Sequence, residues 1–74
     1  MKIKVKLFAY FRDNRFMEEF RDYPKGTTVG NVVDGLDIDR EEVGVLMTNF
    51  RHTSFEAELK EDDILAIFPV VGGG

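Results

Sequence analysis

The sequence contains no cysteine, which excludes a disulfide framework, a thiolate nucleophile and any cysteine-based zinc site. Its one histidine, His52, cannot build a histidine-rich metal centre. Long apolar runs are missing too. The opening MKIKVKLFAYFRD alternates lysine with apolar residues, so neither a signal peptide nor a membrane span is expected, and the protein reads as cytoplasmic. There is no surplus of positive charge: the formal net charge is −4 at pH 7. Lys and Arg outnumber Asp and Glu only in residues 1–25, seven against four, while residues 26–74 carry three against ten. Phosphate binding needs a basic stripe, so nucleic acid is not an expected partner and another protein is. What is present is ordinary globular composition, 43% hydrophobic and 32% charged in 74 residues, which suits one small domain and excludes a second.

Residues 3–9 predict a half-buried strand, because Ile3, Val5, Leu7 and Ala9 share one face at period two and Lys2, Lys4 and Lys6 the other. Phe8 falls on the lysine face. Residues 10–16 suit a turn or short helical connection, and Met17 to Tyr23 a second strand closed by Pro24-Lys25-Gly26. Thr27 and Thr28 precede Val29, Val32, Val33 and Leu36, an i, i+3, i+4, i+7 stripe that predicts a long helix packed on a sheet. Residues 37–42 form a polar connection, Val43 to Thr48 a strand, Asn49 to Thr53 a turn, and Phe55 to Leu59 a short strand or bridge. Lys60 to Asp63 is a charged turn, and Ile64 to Val70 a strand apolar on both faces. Such a strand is central and covered on both sides, or its outer face meets a partner. The order β, β, α, β, β predicts an α+β sheet with the helix across one face.

No catalytic or metal-binding constellation is legible. His52 lies beside Thr53 and Ser54, but adjacency in sequence is not the geometry of a nucleophile and its base, and a solvated turn histidine is the plainer reading. Asp37-Ile38-Asp39 opens like a calcium loop, yet Glu42 stands where that loop needs glycine and Thr48 where it needs glutamate. Glu56, Glu58, Glu61, Asp62 and Asp63 read as a solvated turn and strand edge rather than an acid/base site. The ending Phe68-Pro69-Val70-Val71-Gly72-Gly73-Gly74 is different. Proline stops ladder pairing, so the chain should leave the sheet near Pro69. Three glycines can thread a narrow channel, and their one reactive group is a carboxylate. Ionised at neutral pH, it must be activated, for example by joining it to AMP, before sulfur or nitrogen can attack. A functionless end is the alternative that glycines also tolerate.

The ending FPVVGGG after LKEDDILAI, the opening KVKLFAYFRD and the helix start KGTTVGNVVDGL together resemble the MoaD/ThiS family of sulfur carriers. The resemblance implies an α+β ubiquitin-like β-grasp: a mixed sheet with one main helix packed across one face, over residues 1–70, followed by a flexible glycine-rich tail, residues 71–74. It also implies a carrier rather than an enzyme. The carboxylate of Gly74 would be adenylated with ATP by an E1-like enzyme and converted to a thiocarboxylate, with no cofactor bound to the carrier. Gly72, Gly73 and Val71 would enter the partner's active site. Phe8 and Phe68, beside Pro69, match an apolar patch that contacts the partner, and Phe50 would widen it; simple core packing is the other reading of Phe68. The acceptor would be the large subunit of molybdopterin synthase, serving the molybdenum or tungsten cofactor, or thiazole synthase for thiamin. Phe68-Pro69 and Phe8-Ala9-x-x-Arg12-Asp13 favour the MoaD-like branch, whereas Val-Gly-Gly-Gly also suits the ThiS-like one. A ubiquitin-like protein modifier would use the same activated carboxylate, and a small interaction module with an incidental tail is the remaining alternative. Two turns depart from the family pattern: Asp62-Asp63 replaces Gly-Asp and Asn49-Phe50 replaces Asn-Gly, with a local cost if either backbone needs positive φ. Gly72 stands where many MoaD-like relatives carry a bulkier residue.

Overall fold

A computed structural model describes residues 1–71. Alternation in the first strand is realised over β1 (Lys2–Leu7), with Ile3, Val5 and Leu7 fully buried. Ala9 departs from the expected face. The strand ends at Leu7, and Ala9 takes φ 51° at the start of a 3-10 turn (Ala9–Arg12), which leaves it exposed while Phe11 turns into the core. The return strand β2 (Glu18–Asp22) pairs antiparallel with β1. It is an edge strand, and four of its five residues are exposed, which explains its imperfect alternation.

The helix α1 (Val29–Gly35) has seven residues, so it is shorter than the apolar stripe suggests. Its start is set by a capping box. The Asn31 N–H donates to Thr28 Oγ1 at 3.1 Å, and the Thr28 N–H donates to Asn31 Oδ1 at 3.0 Å. Its end is a Schellman motif built without glycine. Asp37 adopts φ 59°, its N–H donates to the Asp34 carbonyl, and the Ile38 N–H reaches back to the Val33 carbonyl. Arg15 reinforces this stop from outside the helix, donating to the Leu36 and Asp37 carbonyls at 3.0 and 3.2 Å. Val29, Val32 and Val33 point inward and are buried. The polar connection contains the expected single turn, Arg40–Glu42. Arg40 returns over Gly30 to pair with Asp34 at 3.0 Å and to cover the Phe55 ring. Hydrogen bonding from this guanidinium holds the Asp34 carboxyl below its ordinary range.

Beyond it run β3 (Val43–Thr48), β4 (Arg51–His52) and β5 (Ile64–Pro69). Residues 49–53 are not all turn: Asn49-Phe50 alone makes the reversal, and Arg51 and His52 pair with Thr48 and Met47. Phe55 to Leu59 contributes an isolated bridge, Thr28 to Glu58. The sheet order is β2-β1-β5-β3-β4, with β1 and β5 parallel and the other neighbours antiparallel. This is the mixed sheet with one helix that the α+β reading requires. The core of β1, β5, α1, Phe11, Ile38, Leu46 and Leu59 lies on the helix side of the sheet.

Candidate functional site

Period two in β5 sends its residues to opposite sides of the sheet. Leu65 and Ile67 are fully buried in the core, and Ile64, Ala66 and Phe68 are half-buried on the other, open face. Of the two readings of Phe68, the structure selects the open face. Parallel pairing of β1 with β5 places Leu7 beside Ile67, and the next residue, Phe8, stacks on Phe68 with ring centroids 4.1 Å apart and planes 11° from parallel. The Arg12 guanidinium lies 5.2 Å from the Phe8 ring centroid, fixed by an Nε–H bond to the Leu7 carbonyl at 2.7 Å. With Met47, Phe50, Ala66 and Ile64, the pair lines an apolar depression of about 200 Å³. Beside it, Lys4 and Lys6 flank Glu18 at 3.2 and 4.0 Å. The open face is thus apolar over β5 and β3, while over β1 and β2 Lys2, Lys4, Lys6 and Glu18 surround the exposed Phe20 ring.

Phe50, expected to widen the patch, does line it and is 78% exposed. Its backbone is strained: Asn49 and Phe50 have φ 52° and 69°, as a two-residue hairpin turn demands, and the second of these positions favours glycine. Asp62, in the other departing turn, has φ 69°. Asn49 ties the two turns together. Its side-chain amide donates to Asp63 Oδ1 at 2.8 Å, and its Oδ1 accepts the Ile64 N–H at 2.9 Å. Asp63 also accepts the Lys60 N–H at 2.8 Å and is buried, so it is a structural acceptor rather than part of a solvated carboxylate edge. Glu61 accepts the Lys2 N–H at 2.9 Å. Among the described residues, no three His, Asp or Glu side chains gather as a metal site.

β5 ends at Pro69, one residue short of the expected Val70, and Pro69 still faces Val43 on β3. Pro69 is itself buried and so shapes the exit more than it offers a surface. The Val70 N–H donates to the Glu42 carbonyl at 2.8 Å. Val70 and Val71 are 52% and 87% exposed, so the chain is at the surface where the description stops. Tyr10 stands near the Glu42 carboxylate, and loss of water around its hydroxyl, with Glu42 second, raises its pKa. His52, exposed on β4, borders the same exit with Val45, Met47, Phe68 and Val71. Gly72, Gly73 and Gly74, the core of the expected tail, lie outside the described residues. The expected phenylalanines, Phe8, Phe50 and Phe68, share one face beside the end of β5. Sequence reasoning missed Met47 and Arg12 as builders of the open face, although the period-two pattern of β3 places Met47 two residues from Val45 on one side.

No helix among the described residues is long and apolar enough to cross a membrane. A comparison with curated proteins finds no match. Solved structures do match. A Pyrococcus furiosus protein described as a molybdopterin converting factor subunit 1 is 29% identical, with TM-score 0.78 over 96% of this chain and 99% of that one. SAMP1 of Haloferax volcanii is 22% identical, with TM-score 0.77 over the whole of both chains. The complex of subunits 1 and 2 of the molybdopterin-converting factor from Helicobacter pylori contains a chain 16% identical, with TM-score 0.66 over the whole of both. Such low identities speak for the fold alone, but the sequence profile of the ThiS family matches residues 5–74. A match that runs from within the first strand through the glycine tail makes this chain a member of the ThiS family, on a ubiquitin-like β-grasp fold.

Proposed function

We propose that the protein is a sulfur carrier and the small subunit of a molybdopterin synthase. An E1-like enzyme adenylates the carboxylate of Gly74 with ATP and releases pyrophosphate. A sulfur donor then displaces AMP to leave a thiocarboxylate, and the synthase large subunit takes the sulfur. The carrier supplies no catalytic side chain and binds no cofactor of its own; ATP belongs to the activating enzyme. The observation that carries the reading is the surface exit of the chain after Pro69, beside the Phe8–Phe68 stack. That arrangement lets a partner seat on an apolar, rigid sheet while a side-chain-poor tail enters its active site. The likeness to the Pyrococcus converting factor and to the Helicobacter complex favours the molybdopterin acceptor over thiazole synthase. The likeness to SAMP1, a small archaeal modifier protein, favours protein conjugation as the second reading, since lysine nitrogen can attack the same activated Gly74.

Protein isolated from its native cell should show a mass gain equal to one exchange of oxygen for sulfur, mapped to the terminal peptide. Deleting Gly74 should remove both this species and ATP-dependent adenylation while leaving the unfolding temperature unchanged. Branched peptides joining Gly74 to lysines of other proteins, without the sulfur species, would replace the carrier reading with the modifier one.

A further inference from the structure

The sequence Val43-Gly44-Val45-Leu46-Met47-Thr48 reads as an uninterrupted strand, but its pairing is not uninterrupted. Val43 faces Pro69 and Val45 faces Phe68, so the register shifts between them and Gly44 is left over. This is a β-bulge. The extra residue is taken up between Val43 and Val45, and pairing resumes when the Val70 N–H donates to the Glu42 carbonyl at 2.8 Å. Only glycine fits there. A Cβ at position 44 would sit 2.8 Å from the Pro69 carbonyl oxygen and 2.9 Å from Val70 Cα. Both are backbone atoms, so the end of β5 would have to move away rather than rotate a side chain aside.

We infer that Gly44 is a positioning residue for the tail: by letting Pro69 and Val70 close onto β3, it fixes the point at which the chain leaves the sheet after Val70. The inference rests on the carrier reading for its functional consequence, but its structural half stands alone. The four residues after Val70 span at most about 14 Å when extended. A displaced root therefore moves the carboxylate relative to the docking face, and a reacting group held out of line by about an ångström loses rate rather than binding. Gly44 acts through Pro69 and Val70 and touches neither ATP nor the acceptor.

The test uses the full chain with its E1-like enzyme, read by ATP–pyrophosphate exchange, and amide hydrogen exchange on the carrier alone. Gly44→Ala should lower kcat at least tenfold with KM within twofold of wild type, because the Phe8–Phe68 face is unchanged. Its Val70 amide should exchange at least tenfold faster while those of Val5 and Ile67 stay within twofold. Gly35→Ala, where the added Cβ points into open space, should alter neither readout. Where Gly44→Ala fails to fold, Val70→Pro removes the same Glu42 bond without touching β3 and should lower kcat in the same way. Unchanged kcat in the folded variant, a rise in KM that accounts for the loss, or a Val70 amide as protected as in wild type would overturn the inference. If wild-type protein supports no exchange with ATP, the carrier reading fails, while the Val70 amide still decides whether Gly44 sets the tail root.

Discussion

Among the described residues, six other than glycine hold positive φ, Phe50 and Asp62 among them. For an L-residue with a Cβ this region costs about 1–2 kcal/mol. Strain of this size persists where a fold or a function requires the side chain, and Phe50 contributes little packing, being 78% exposed. Phe50→Gly should therefore stabilise the domain by about 0.5–1 kcal/mol after the greater freedom of glycine in the unfolded chain is set against it. Thermal denaturation should show a rise of about 2–8 °C. A fall in unfolding temperature would mean that contacts with the aromatic patch outweigh the backbone strain. The sequence marked both positions as departures, since a two-residue turn and a Gly-Asp pair have known backbone demands. It could not show that the φ values would stay positive with Phe and Asp in place.

At the scale of elements, α1 depends on its ends. A helix of seven residues spans about 10 Å and is too short to be stable alone. The Thr28–Asn31 capping box closes one end, and at the other Arg15 bonds the exposed Leu36 and Asp37 carbonyls. Thr28→Ala should cost about 1 kcal/mol and Arg15→Ala about 1 kcal/mol. Lying at opposite ends without shared partners, the two losses should add to within about 0.5 kcal/mol in the double variant, measured by urea denaturation. A double variant no less stable than either single one would show that the helix is held by its valine face alone. Thr28 was legible because caps are local. Arg15 was not, because nothing in residues 10–16 indicates that the chain folds back over a carbonyl more than twenty residues away.

Across the whole molecule, the sheet separates the work of its two faces. One side buries the core against α1, and the other presents the Phe8–Phe68 stack with Met47 and Phe50 beside the exit of the chain. On the proposed carrier function, partner recognition and tail delivery are separable. Phe8→Ala should raise KM for the activating enzyme about tenfold, the scale of an interface anchor, with kcat kept within twofold and the fold intact. Steady-state ATP–pyrophosphate exchange measures both. A loss in kcat with KM unchanged would place Phe8 outside the docking surface and leave the stack a purely structural contact.

Alternation in β1, the capped apolar stripe of α1, the doubly apolar last strand and the proline before the glycines are local patterns, and they determined the α+β order and the place where the chain leaves the sheet. Tertiary structure alone decided which side of β5 faces solvent, that Phe8 meets Phe68, that Asp63 is buried, and that the strand containing Gly44 is bulged. Each of these depends on pairing between segments distant in sequence. Strand register, unlike periodicity, is set by the partner strand as much as by the residues that bear it.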